Sequence, residues 1–460
     1  MLTARRRGAR VTCIALLVLL LAATWAGAAI ALQVAPQQSL VSGQAQAQAA
    51  PSLDTYSPPP AARAKAIRYS RVQDKLYFAD VAISLAIFAF LWWSWFGVWL
   101  RRLAERASNR LFVQCLLFVP IFCVVVSVLS FPVDYYRDFI VERRFGLSTE
   151  TLGAWLSDWG KSLGLFIIVA IAIVWIFYRI ARRSPRRWWL YFWLALIPVA
   201  AFVMLIEPYV VEPLFFKFTP LAKTQPALTA RVERMLRHAG IFIPESSIFE
   251  MDAAAKTREL NAYVSGWGSS KRVVIWDTTL NKLTPDETLS VLGHETGHYA
   301  LHHIPKIFAL MVLLTLVGLF LGRLVANWAV RRWGKRTGIS EIGDLADLPL
   351  LALILTAGMF LASPVINGIS RHYEHQADQY GLEITYGVVP DPNAAMVRSF
   401  RIIGEQDLSD PDPNPFIVFW LYSHPPIADR IRFAAHYKPS AEGKPMKLLH
   451  SRPLMRFWGQ

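Results

Sequence analysis

His294, Glu295 and His298, in the stretch VLGHETGHYALHH, are the densest concentration of reactive side chains in the chain. On an α-helix the first and fifth positions of H-E-x-x-H share one face a turn apart, so both imidazoles can reach a single ion. Two neutral nitrogens, a carboxylate and an open water position suit catalytic zinc, one ion, rather than a closed structural site. Glu295, beside the first ligand, is placed to take a proton from the attacking water. The carboxylate must come from elsewhere, and SRHYEHQAD offers Glu374, four residues before Asp378 on the same helical face. One of the two can bind the ion while the other accepts the spare N–H of a ligand histidine. His372 and His375 compete for the third-ligand role, and an isolated E-x-x-x-D beside Arg371 also fits an ordinary surface pair.

The elements that must position these residues belong to a bilayer protein. Hydrophobic residues make up 54% of the 460, and mean hydropathy is +0.33, which argues against a soluble protein. Lys and Arg outnumber Asp and Glu by 48 to 33, a net charge of +15. That excess sits in short clusters between apolar runs, as membrane flanks do, and so argues against a nucleic-acid partner. Cys13, Cys115 and Cys123 all fall inside apolar runs and imply neither a disulfide framework nor a cysteine metal site.

The expected fold is mostly α, with about seven transmembrane helices and a zincin-like domain containing a small β-sheet. Residues 1–32 read as an uncleaved first span, with a signal peptide ending near TWAGAAIA as the alternative. Residues 33–76 read as a Gln/Ala/Pro linker. An N-terminal membrane domain, 77–211, holds spans at about 77–100, 111–133, 162–180 and 187–211. Between the middle two, DYYRDFIVERRFGLSTETLGAWLSDWGK reads as an amphipathic loop resting on the membrane surface. The segment 212–303 carries H-E-x-x-H. In it LTARVERMLRHAG reads as a helix, SSIFEMDAA and NAYVSG…KRVVIWDTTL as strands, and Thr284, Pro285 and Glu287 as the cap of the histidine helix. Two more spans and a basic loop fill 304–369, and 370–460 completes the catalytic part. His298 lies about six residues before one of these spans and Glu374 about five after the other, roughly 8–9 Å each at helical rise. Two crossings return the chain to its starting side, so the two segments can meet.

HETGH, two spans and then SRHYEHQAD resemble the membrane-integral zinc metalloproteases of the type I CaaX prenyl endopeptidase family. FIVERRFGLSTETLGAWLSD, EPLFFKFTPL, NAYVSGWGSSKRVVIWDTTL and SHPPIADR are similar to further stretches of that family, in the same order, from about residue 65 to 435. The resemblance implies His294, His298 and Glu374 as zinc ligands, Glu295 as general base and Asp378 as support for a ligand histidine. It also implies an internal chamber walled by the spans. Asn261 and Tyr263 match the NAY motif, on an apparent edge strand that could take an extended peptide by β-augmentation. His424 and Arg430 match SHPPIADR; the first would steady an oxyanion, the second would orient it or a substrate carboxylate.

The implied function is a zinc endopeptidase of the bilayer acting on a peptide or protein, with a substrate prenylated at its C-terminus as the candidate that the resemblance suggests. A membrane quality-control zinc protease is the alternative enzyme, and a transporter or receptor with a structural metal site the alternative outside enzymes. With seven spans, four basic segments fall on one side: Arg5, Arg6, Arg7 and Arg10; Arg101, Arg102, Arg106 and Arg110; Arg182, Arg183, Arg186 and Arg187; Arg331, Arg332, Lys335 and Arg336. The positive-inside rule makes that side cytoplasmic and the zinc segment extracytoplasmic. The eukaryotic members of the resembled family suggest the reverse.

Overall fold

The computed structural model describes residues 54–266, 271–438 and 446–449. The expected first span, 1–32, lies outside the described residues, as do residues 33–53 of the expected linker and Cys13. Among the described residues six helices are long and apolar enough to cross a membrane. Four precede the catalytic segment: α1 (Pro60–Trp93), α3 (Leu111–Asp134), α4 (Leu152–Arg183) and α5 (Trp188–Ile206), with the shorter amphipathic α2 (Phe96–Ala107) after α1. Their facing sides bury Phe88, Phe118, Phe122, Phe177 and Leu196, while Phe90, Ile168 and Phe202 stand exposed on the outer faces, where lipid would cover them.

Three expectations are corrected here. The linker does not reach residue 76, because α1 begins at Pro60. Proline suits a first helical turn, and AARAKAIRYSRVQDK is rich in helix formers although too polar to read as membrane. The second span does not run to residue 100 either. Trp95 adopts φ 62°, breaking the helix between α1 and α2. The DYYRDFIVERRFG stretch is not a surface loop. It continues α3 through a π-helical segment, Tyr135–Val141, and a last turn, Glu142–Arg144, and it buries Arg137, Asp138 and Glu142 while Arg143 and Arg144 stay exposed. Arg137, 2% exposed, donates to both oxygens of Asp138 at 2.6 and 2.8 Å and to Asp80 of α1 at 2.7 Å. Tyr69 and Gln73, also on α1, donate to Glu142 at 2.9 and 2.6 Å.

The catalytic segment opens with β1 (Phe218–Pro220), α6 (Pro226–His238), β2 (Ile248–Met251), β3 (Ala262–Ser265) and β4 (Arg272–Trp276). The sheet order is β1-β2-β4-β3, with β2 and β4 parallel, Ile248 opposite Val273, and the outer pairs antiparallel. Alternation sends Val273 and Ile275 of β4 to one apolar cluster and Val274 and Trp276 to another, so β4 is buried on both faces. Next comes α7 (Pro285–Ala300), started by a capping box in which Thr284 accepts from Glu287 N–H and the Glu287 carboxylate accepts from Thr284 N–H. His302, at φ 55°, ends that helix and turns the chain into α8 (His303–Thr337). Gly338, at φ 72°, ends α8, and α9 (Leu348–Thr385) returns across the membrane. Then follow α10 (Pro392–Gln406), α11 (Pro415–Leu421) and α12 (Ile427–His436). At the end of the membrane domain far from α7, Arg101 pairs with Asp344 and Arg182 donates to the Gly343 carbonyl. Arg336 lies over the ring of Trp93, the last residue of α1, so the three described basic segments meet at one end.

Candidate active site

Small residues let α7 and α9 approach backbone to backbone. A Cβ on Gly293 would come within 3.1 Å of the Gly381 carbonyl oxygen, and one on Gly297 within 3.1 Å of Ala377 Cα. A Cβ on Gly381 would meet the His294 amide nitrogen at 2.9 Å. That contact brings both α7 histidines onto the α9 carboxylate, although the helices lie in different segments of the chain.

His294 Nε2 and His298 Nε2 are 3.2 Å apart, and Glu374 places one oxygen 3.3 Å from the first and the other 3.5 Å from the second. These are the three groups that could share one ion. Zinc bonds of 2.0–2.2 Å in a tetrahedron put neighbouring ligand atoms about 3.3–3.6 Å apart, so the spacing is close to what zinc needs. Glu374 is 7% exposed and its Oε2 is buried without a hydrogen bond, as expected of an atom that awaits a cation. The competing histidines stay out: His372 is exposed, and His375 is exposed with its ring against Phe433 at 4.4 Å.

Behind His294, Asp378 Oδ1 lies 2.8 Å from Nδ1. Arg430 clamps that carboxylate with two bonds, Nε to Oδ2 at 2.9 Å and Nη2 to Oδ1 at 2.6 Å, and lies over the Phe400 ring. Burial by itself lowers the pKa of His294, but its hydrogen bond to Asp378 and the facing Glu374 carboxylate outweigh that and push it up to about 10. A metal must therefore displace a proton from this ring. Burial pushes Glu295 up, opposed by the neighbouring His294 and His298. Its Oε1 stands 3.9 Å from His294 Nε2, too far for a hydrogen bond.

His424 reaches the site from the loop before α12, with Nε2 3.0 Å from Glu374 Oε1. Burial lowers its pKa and Glu374 opposes that. Ser423 Oγ, 2.9 Å from His424 Nδ1, can donate there and keep the ring proton on Nε2, facing the site. Asn261 and Tyr263 lie at the start of β3, an edge strand of the sheet. Ala262 and Val264 pack with Leu289 and Leu292 of α7, so this edge runs beside the histidine helix. The Tyr263 side chain faces the opposite cluster and donates to Glu212 at 2.7 Å, a carboxylate shared with Arg272. The Asn261 carbonyl accepts from Trp276 N–H and Thr279 Oγ1. The Asn261 N–H also donates to Thr279 Oγ1, so its main-chain groups are engaged within the protein and an incoming strand would have to meet the residues that follow it in β3. The sequence reading passed over His303, Gln376 and the glycines of α7; the small-residue spacing at Gly293 and Gly297 was the available signal for the last.

Two family models divide the chain: "CAAX prenyl protease N-terminal, five membrane helices" matches residues 46–217, and "Peptidase family M48" matches 222–438. The "Uncharacterized metalloprotease YhfN" of Bacillus subtilis is 32% identical over 82% of this chain and 86% of its own. CAAX prenyl protease 1 of Saccharomyces cerevisiae is 28% identical over 69% of this chain and 71% of its own. The crystal structure of S. mikatae Ste24p superimposes with a TM-score of 0.68 at 26% identity, covering 83% of this chain and 92% of that one.

Proposed function

The chain belongs to peptidase family M48, in its membrane-integral CAAX prenyl protease branch, and is a metalloendopeptidase; from that premise we propose a zinc-dependent mechanism with Glu295 as its base. The observation that carries this reading is the convergence of His294 Nε2, His298 Nε2 and the Glu374 carboxylate at zinc spacing, with Glu295 alongside. Zinc held by those three residues would supply Lewis acidity that makes water a nucleophile near neutral pH. Glu295, raised by burial and not engaged as a ligand, takes the proton of the attacking water and returns one to the leaving amine. His424 offers its Nε2–H to the oxyanion, with Ser423 holding the tautomer. Asp378 and Arg430 hold the His294 ring in place. The β3 edge receives the substrate as an added strand, which lays the scissile carbonyl beside α7.

Relatives named CAAX prenyl protease support a peptide carrying a C-terminal prenyl group as substrate. The basic ends of the spans support a catalytic side outside the cytoplasm. Incubating the purified protein with farnesylated and unmodified versions of one peptide, with and without a chelator, tests the reading. Chelator-sensitive cleavage that prefers the farnesylated peptide is expected. Equal cleavage of both at scattered bonds would favour quality control instead, and chelator-insensitive cleavage would remove the metal. A reporter fused after Gln460 should be inactive in the cytoplasm; cytoplasmic activity would reverse the topology.

A further inference from the structure

His303, the first residue of α8, is completely buried with its ring stacked on Tyr373 at 4.5 Å. Its Nδ1 lies 3.2 Å from His298 Nδ1 and its Nε2 lies 3.0 Å from Gln376 Oε1. Two ring nitrogens at that distance must share one proton, since two protons or two lone pairs would repel. The chain Gln376–His303–His298 therefore has two consistent states. In the first, the Gln376 carbonyl accepts from His303 Nε2–H, and His303 Nδ1 accepts from His298 Nδ1–H. His298 Nε2 then keeps its lone pair and points it at His294 and Glu374. In the second, the Gln376 amide is turned round and donates to His303 Nε2. His303 then donates from Nδ1, the His298 proton sits on Nε2, and that nitrogen cannot ligate.

We propose that His303 and Gln376 are positioning residues that hold His298 in its Nδ1–H tautomer and so set the metal affinity of the site. The inference rests on His298 being a ligand. The two ligand histidines are then supported differently: His294 by a carboxylate clamped by an arginine, His298 by a neutral relay that starts from the far side of α9. Gln376 lies two residues after Glu374 and two before Asp378, so α9 supplies a ligand and both supports within about one and a half turns.

The test is metal affinity of the full-length protein, read by competition with a chromogenic zinc chelator, together with the absorption spectrum of the cobalt-substituted form. His303→Phe keeps a ring against Tyr373 but removes the acceptor; affinity should fall by about 10–100-fold and the cobalt bands should shift. His303→Asn returns an oxygen near the Nδ1 position and should recover much of the loss. Gln376→Glu, which can only accept, should keep the parental affinity, whereas Gln376→Lys, which can only donate, should lower it. His303→Phe within twofold of the parent, equal loss in His303→Phe and His303→Asn, or equal loss in both Gln376 variants would overturn the relay. If His303→Phe does not fold, the half-buried Gln376 pair decides alone. His298→Ala separates this inference from the reading beneath it. Unchanged affinity there removes His298 as a ligand, whereas a loss there with an unaltered His303→Phe removes only the relay.

Discussion

Two clusters of buried charge divide the molecule. In the membrane domain, Asp80 and Asp138 bond to Arg137, a cation supplied by the chain itself. Between α7 and α9, Glu374 faces imidazole nitrogens, and the nearest arginine, Arg430, is spent on Asp378 behind His294. Buried carboxylates need a positive partner because desolvation in its absence is so costly. The first cluster has its cation built in, which makes it a structural joint between α1 and α3. The second has no fixed cation at the centre, only imidazoles that can give up a proton, and that is the setting a metal site would need.

Substitutions can break this contrast. The largest effect belongs to Glu295→Gln, which should lower kcat/KM by about 10²–10⁴-fold while zinc content stays near one per chain. Glu374→Ala should lose both metal and activity. Metal loss in the Glu295 variant, measured by elemental analysis, would make that residue a ligand instead. Arg137→Met tests the other cluster. It strands buried carboxylates and should cost about 3–5 kcal/mol of stability in detergent without changing the zinc affinity of the folded fraction. A change in that affinity would mean that the two clusters are coupled. Arg430→Met should weaken zinc binding by about 10–100-fold, since Asp378 loses its clamp. Unaltered affinity would show that Asp378 needs no arginine to hold His294.

The smallest effect concerns pH. The His294 pKa is raised to about 10 in the metal-free site, so below that value a proton competes for the ring. Zinc affinity should rise about tenfold per pH unit through the neutral range and level off above roughly pH 10. A flat profile between pH 6 and 8 would show that the ring is already neutral there. Arg137→Met should leave the slope unchanged.

H-E-x-x-H, the Thr284 cap and the apolar runs were legible in the sequence because each depends on local spacing. Residues 60–76 were not, since a polar helix projecting from a bilayer lacks the hydropathy that marks a span. The stretch after Asp134 misled for a related reason: Arg137, Asp138 and Glu142 read as surface residues, and Asp80, Tyr69 and Gln73 of α1, distant in sequence, are among the partners that let them be buried. Glu374 was found through E-x-x-x-D, yet the choice over His372 and His375 depends on which face α9 turns to α7. His303 was missed because its partners, His298 and Gln376, lie on two other helices.

The backbone contact of Gly293 and Gly297 with Ala377 and Gly381 has a mechanical consequence. Glu374 sits 26 residues along α9, about 39 Å from its start, on a helix that runs unbroken out of the bilayer. Helices answer a change in lipid thickness by leaning, and a lean of about 5° at the base of such a lever would swing its tip by about 3 Å. That is as large as the spacing between the ligands themselves. With α7 fastened to α9 at that height, both histidines travel with the carboxylate, and the spacing of these three groups is insulated from the thickness of the membrane that carries them.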